Sequence, residues 1–220
     1  SLTLGEMARL IRAEMELPLQ LEVMPMRGWR RAMLWRDTGH PFHPPSPGIP
    51  TPESALLYPG LALLEATNVS EGRGTHLSFQ WLGAPWMENG GGVQALADHL
   101  NRSTVAGVRA GPHTLAIHEG DEPCPGVLLE ITEPRQVRPL YLGLRLLSLL
   151  HTLWPRRFSW TPYPTAVNPS GRGHLLRLLA RRDAVDTLEM APGNLDDRIL
   201  LGWTAAPGWW ARAAPHLLYE

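Results

Sequence analysis

The densest set of residues able to do chemistry is one run, Glu65-Ala66-Thr67-Asn68-Val69-Ser70-Glu71-Gly72-Arg73-Gly74-Thr75-His76. Glu65 or Glu71 could act as a general acid or base, or accept a sugar hydroxyl. Arg73 could clamp a carboxylate through two parallel N–H bonds. Gly72 and Gly74 bracket it, so the backbone can turn sharply there and approach a ligand. These types suit a polyhydroxylated or carboxylate-bearing ligand. They equally suit a structural motif, an Asx or Ser turn with Arg73 bridging to a buried carboxylate such as Glu65. The run is not a phosphate-binding loop, because no Lys-Ser or Lys-Thr follows the glycines. A carboxylate pair for glycoside hydrolysis could come from Glu65, Glu71 or Glu88, with their separation deciding the stereochemical course.

Other candidates are weaker. His40 and His43 lie in a Pro-rich loop without a matching Cys or His pair, so no metal is expected. Cys124 sits between two prolines, with no nucleophile-elbow or Cys/His signature. Asn68-Val69-Ser70 and Asn101-Arg102-Ser103 match the glycosylation pattern, a weak signal by itself.

The elements that must position these residues follow from periodicity. Thr3 to Glu16 reads as an amphipathic helix, with Thr3 and Glu6 at capping-box spacing and Leu4, Met7, Ala8, Ile11 and Met15 at helical spacing. Leu19 to Met24 alternates like a short strand. Arg27 to Pro52 reads as a long loop, anchored by Trp29 and Trp35; such loops inside compact domains are usually functional. Ser54 to Tyr58 predicts one helical turn. The apolar run Leu61 to Glu65 suits a buried strand feeding a site loop, as in α/β proteins.

Gly90-Gly91-Gly92 precedes a helix over Val93 to Asn101. Gly107 to Arg109 and His113 to His118 are strand candidates, and a turn around Gly120 to Pro125 leads to a strand over Gly126 to Thr132. Pro139 to Leu153 is the strongest helix, with Pro in its first turn. Arg172 to Arg182 and Asp196 to Ala205 are further helices.

Composition excludes several classes. The 220 residues are 44% hydrophobic and 19% charged, enough to build a core. Net charge is -1, with 20 basic and 21 acidic residues, which argues against a general nucleic-acid binder. Every basic residue is Arg. A single cysteine rules out an intrachain disulfide and a cysteine-rich zinc site. The 21 Gly and 22 Pro are spread along the chain, so many turns are expected. The nine Trp serve as core or loop anchors, or as sugar platforms. The greasiest stretch, Leu140 to Trp154, contains Arg145 and His151 and is too short to span a bilayer. The chain opens Ser-Leu-Thr-Leu-Gly-Glu, with no initiator Met and no leader, so a processed product or a piece of a longer protein is expected.

The stretch from Val23 to Trp86 resembles the bacterial exo-β-N-acetylmuramidases, formerly a domain family of unknown function numbered 1343. The matching runs are VMPMRGWRRAMLW, TGHPFHPPSPGIPT, ESALLYPGLALLEATN, VSEGRGTHLSF and LGAPW. The opening TLGEMARL, Cys124-Pro125-Gly126 with the strand after it, Arg138-Pro139 and the ending Trp209 to Tyr219 are also similar to the family. The resemblance implies a peptidoglycan-turnover glycosidase that releases terminal N-acetylmuramic acid from the non-reducing end of cell-wall fragments. It implies an α/β fold: residues 1–85 as the tail of a Rossmann-like catalytic domain, then a smaller α+β auxiliary domain over 86–220. Its substrate's lactyl carboxylate gives a reason for Arg73. Glu71 is expected as the catalytic carboxyl, with Glu65, Asn68, Ser70, Arg73 and Thr75 binding substrate. The implied partners are peptidoglycan fragments or muropeptides, without nucleic acid, membrane span, metal or cofactor, in a secreted or periplasmic bacterial location.

The sequence departs from the family's pattern in places. Gln80 stands where the family usually has Glu, which removes acid or base capacity there. Gly48 replaces an Asn, and Ala66 a Gly. The family's first strands and main catalytic acidic and His residues have no counterpart, so this chain by itself is expected to be incomplete as an enzyme. The competing expectations are a non-catalytic cell-wall sugar-binding module and a structural domain whose Arg73 only braces the loop.

Overall fold

The computed structural model describes residues 2–87, 91–103, 105–117, 122–190, 193 and 195–220. It is a mixed helix-and-sheet chain. In order come α1 (Leu4–Glu14), α2 (Pro52–Leu61), β1 (Trp81–Gly83), α3 (Gly91–Arg102), β2 (Val108–Leu115), β3 (Cys124–Ile131), α4 (Pro139–Leu153), α5 (His174–Leu179), α6 (Arg182–Met190), α7 (Asp197–Thr204) and α8 (Trp209–Ala213). Contacts divide it into two compact units, 1–42 with 205–220, and 43–204. Residue 85, the boundary expected from sequence, falls inside the second unit, just after β1.

The first unit is built on α1. Thr3 caps it through its side chain, and Glu6 returns the bond to the Thr3 N–H at 2.7 Å. Glu6 then does far more than cap. It is fully buried, and its carboxylate also accepts from the Arg31 guanidinium at 2.6 Å and the Leu218 N–H at 2.8 Å. One carboxylate thus joins the helix, the long loop and the C-terminal tail. Burial opposes its charge, but the bonds from Arg31, Leu218 and Thr3 outweigh that and lower the carboxyl from 4.5 to about 2. The apolar stripe expected to face the core is turned outward instead: Leu4 is 85% and Met15 65% exposed. The polar ties of Glu6, with Leu10 beside it, set which face is inside. Leu19 to Met24 is not a strand. Alternation makes backbone extended, but a strand also needs an edge to pair with. Here the Leu19 carbonyl accepts from Arg12 Nε at 2.9 Å.

The second unit holds the main core, and α4 runs through it with Tyr141 to Leu147 all buried or nearly so. Helix α2 packs on α4 at two facing glycines. A Cβ on Gly60 would overlap the Pro139 carbonyl, and one on Gly143 would overlap the Gly60 carbonyl. Helix α2 starts at a Thr51 cap and is longer than the single turn expected. The run Leu61 to Glu65 is therefore no strand: α2 passes directly into a 3-10 turn, Ala62–Ala66. The run is apolar throughout because this segment is buried on every side, and a short apolar run cannot distinguish buried strand from buried helix.

The sheet is antiparallel, in the order β1-β3-β2. Gly83 sits opposite Gly126, and Leu115 opposite Cys124. The indole of Trp81 lies over the glycine pair and donates to the His113 carbonyl at 2.9 Å. The two strand candidates at 107–109 and 113–118 are one strand, β2; His118 lies outside the described residues, as do Gly90, Gly120 and Asp121 of the expected turns. The expected helix over 172–182 is two, because Ala180 takes a left-handed conformation at φ +51 between them.

Glu6 should contribute stability fully above about pH 4.5 and lose it progressively as pH falls toward about 2, since its folded pKa is the lower one. Hydrogen exchange of residues 1–42 on acidification should show early loosening, and Glu6→Gln should remove that dependence. The helix crossing makes an opposite-sign pair. Gly60→Ala should cost about 2–3 kcal/mol in a denaturant melt, whereas Gly202→Ala, with open space around it, should add about 0.5–1 kcal/mol.

Candidate functional site

The site loop is held from both ends by backbone bonds. Asn68 is fully engaged with a segment far along the chain: its N–H donates to the Ser159 carbonyl at 3.1 Å, its amide to the Arg157 carbonyl at 2.8 Å, and it accepts from the Ser159 N–H at 3.0 Å. Ser70 exchanges two backbone bonds with Gly83, and its hydroxyl accepts from the Gly72 N–H at 3.2 Å. The Thr75 hydroxyl donates to the Gly72 carbonyl at 2.7 Å and accepts from the Leu77 N–H at 3.1 Å. Gly72 and Gly74 have φ of +72 and +89, as the bracketing glycines suggested. Asn68, Ser70 and Thr75 therefore shape the loop with their own polar atoms.

The charged residues gather beside it. Glu65 and Glu71 are nearly buried, with side chains 9% and 11% exposed, while Arg73 is 41% exposed. Arg73 donates from Nε to Glu71 at 2.8 Å and from Nη2 to Glu65. Its guanidinium also lies over the Phe79 ring, 5.1 Å from the centroid. Phe79 is buried at φ +58, a strained setting for an aromatic residue, and its N–H donates to the Glu71 carbonyl at 2.8 Å. Although burial works against its charge, the bond to Glu71 and the fields of Glu71 and Glu65 raise the pKa of Arg73. The bracing expected of Arg73 toward Glu65 is present, and it extends to Glu71.

Two further residues complete the cluster. His174 Nε2 pairs with the other Glu65 oxygen at 2.9 Å. Tyr163 stacks on the imidazole, with centroids 4.7 Å apart. Burial, then the charge of Glu65, raises the pKa of Tyr163. His174 is 8% exposed, and its Nδ1 is buried with no hydrogen-bond partner among the described residues. With Nε2 turned to Glu65, Nδ1 is the ring nitrogen left without a bond among the described residues. Sequence reasoning missed both residues, which lie about 100 positions downstream. One signal was available: Gly171-Arg172-Gly173-His174 repeats the Gly-Arg-Gly of the site loop, and both of its glycines are left-handed.

Other candidates fall elsewhere. Gln80 lies with the start of α2, its amide donating to Thr51 and Ser54 hydroxyls at 3.2 and 3.3 Å. The Ser78 hydroxyl ties down the Gly48 carbonyl at 2.6 Å, and so holds the Pro-Ser-Pro-Gly loop beside Arg73. The Asn101 amide is spent on the Ala110 backbone, and burial pushes the Cys124 thiol pKa up. Glu88 lies outside the described residues. Among the described residues no group of three or more His, Cys, Asp or Glu is placed to hold a metal, and no helix is long and apolar enough to cross a membrane.

The cluster is thus an arginine shared between two near-buried glutamates, one of them also held by a nearly buried histidine. Residues 56–219 match the sequence model for exo-beta-N-acetylmuramidase NamZ, C-terminal, and residues 1–53 the one for its N-terminal part. The chain belongs to this family. It is 33% identical over 191 residues to the peptidoglycan beta-N-acetylmuramidase NamZ of Bacillus subtilis strain 168, covering 85% of this chain and 45% of that protein. It also resembles the crystal structure of a DUF1343 family protein from Bacteroides fragilis, with a TM-score of 0.68 and 26% identity over 98% of this chain and 56% of that one. The chain thus spans about half the length of the relatives it matches.

Replacing Arg73 with Gln should leave Glu65 and Glu71 without their shared donor. The expected loss is about 1–3 kcal/mol, read as a lower midpoint in denaturant. An unchanged midpoint would show that the shared bonds carry no net stability.

Proposed function

We propose that this chain forms part of a peptidoglycan-turnover glycoside hydrolase, releasing terminal N-acetylmuramic acid from the non-reducing end of cell-wall fragments. The observation that carries the reading is Arg73, half-exposed between two near-buried carboxylates in the stretch that matches the family. In this reading the lactyl carboxylate of muramic acid engages Arg73 and competes with Glu71 for its donors. Glu71, released from Arg73, takes up a proton from water and delivers it to the glycosidic oxygen as that C–O bond breaks, while a water molecule adds at the anomeric carbon and gives its own proton back to solvent. Glu65 stays in place because His174 grips its other oxygen. Asn68, Ser70 and Thr75 shape the binding loop, and its exposed edges meet the sugar. The partners are peptidoglycan fragments or muropeptides, and a cell-wall substrate places the work outside the cytoplasm, secreted or periplasmic.

A second reading is a non-catalytic sugar-binding module. Gln80 favours it, because an amide at that place can hold the hydroxyls of Thr51 and Ser54 but cannot exchange a proton with substrate.

The test is hydrolysis of a chromogenic muramic acid glycoside by the gene product carrying this chain. Turnover is expected, and Glu71→Gln should lower kcat/KM by about 100-fold or more with the fold intact. Retained turnover in that variant would remove Glu71 from the mechanism. Muropeptide binding without any turnover would establish the binding module instead.

A further inference from the structure

The first unit contains a concave site apart from the carboxylate cluster. It has a volume of about 480 Å³ and lies between α1, the extended segment after it and the C-terminal tail. Its polar lining is Arg9, Arg12 and His216, two guanidinium cations and an imidazole, with no carboxylate among the lining residues. Its remaining wall is chiefly Leu21, Val23 and Leu218.

Both arginines are pinned by neutral partners. Arg9 donates from Nη1 to the Leu217 carbonyl at 3.4 Å, and Arg12 from Nε to the Leu19 carbonyl at 2.9 Å. Neither forms an ion pair among the described residues. The acids of α1 are committed elsewhere: Glu6 to Arg31, and Glu14 through both oxygens to Arg212. Two guanidiniums one helical turn apart therefore face the same hollow, oriented by carbonyls, with positive charge that no carboxylate answers. A fixed donor set loses little freedom when it binds, and a guanidinium makes charge-assisted bonds to an oxyanion.

We propose that this hollow is a binding site for an oxyanion carried on a small aliphatic body, either a carboxylate or a phosphoryl group. Arg9 and Arg12 take the oxygens, His216 lies at the rim, and Leu21, Val23 and Leu218 cover the aliphatic part. The volume suits a ligand of metabolite size. The site is independent of the role given to Glu71.

The experiment is a backbone-amide NMR titration of the protein at pH 7 with sodium butyrate, and separately with sodium phosphate, against sodium chloride at matched ionic strength. Saturable shifts are expected at residues 9–13, 21–23 and 216–218, and not at 65–75. Arg12→Gln should weaken the apparent affinity about tenfold, the equivalent of one lost charge-assisted bond. Because that change also removes the tie to Leu19, Leu21→Glu serves as a second variant. It keeps both arginines and places a competing carboxylate in the wall, and it should abolish saturation. Tighter butyrate than phosphate would identify a carboxylate ligand, and the reverse a phosphoryl ligand; either supports the site. Shifts that chloride reproduces, or affinities unchanged in both variants, would overturn it.

Discussion

The contact between Gly60 and Gly143 is the constraint on which the second unit depends. Two helix backbones meet there with no side chain between them. That approach lets α2 run straight into the 3-10 turn that carries Glu65 to the edge of the core. Any side chain at either glycine would push α2 off α4. The shift would pass directly to Glu65, only five residues beyond Gly60. The position of the charged cluster is thus set by close packing of glycines before any charge interacts.

Arginine then fixes the acids. Each buried or nearly buried glutamate of note is met by a guanidinium: Glu6 by Arg31, and Glu65 and Glu71 by Arg73. Asp197 is met by Arg145, whose Nη1 also holds the Leu195 carbonyl at 2.9 Å. A planar fork can serve two acceptors at once, which an ammonium does with less directional control. An all-arginine set of cations suits a protein that organises loops around buried carboxylates. The arrangement also limits the chemistry. Arg73 spends Nε on Glu71 and Nη2 on Glu65, so one side chain holds both carboxylates.

Several elements were legible from local pattern. Helix α4 has the bounds its leucine periodicity and leading proline implied, and the Thr3-Glu6 capping box is present as spaced. The left-handed glycines around Arg73 were legible too, because only glycine takes that backbone cheaply. The strand expected at Leu61 to Glu65 was misread, since full burial erases the periodicity that separates helix from strand. Likewise the stripe of Leu4, Met7, Ile11 and Met15 marked a helix correctly but not its orientation, which Glu6 decides through long-range partners.

The residues of the site divide in the same way. The run from Glu65 to Thr75 was visible because its residues are neighbours in sequence, and the family pattern lay on those same residues. The sequence alone therefore determined the carboxylates, the arginine and the turn geometry between them. His174 and Tyr163 entered only through folding, since their contact with Glu65 closes a loop of about 100 residues and leaves no periodic trace. The tertiary structure also decided that Asn68, Ser70 and Thr75 spend their polar atoms on the backbone. Residue types state what a side chain can bond; only packing settles which partner comes within reach.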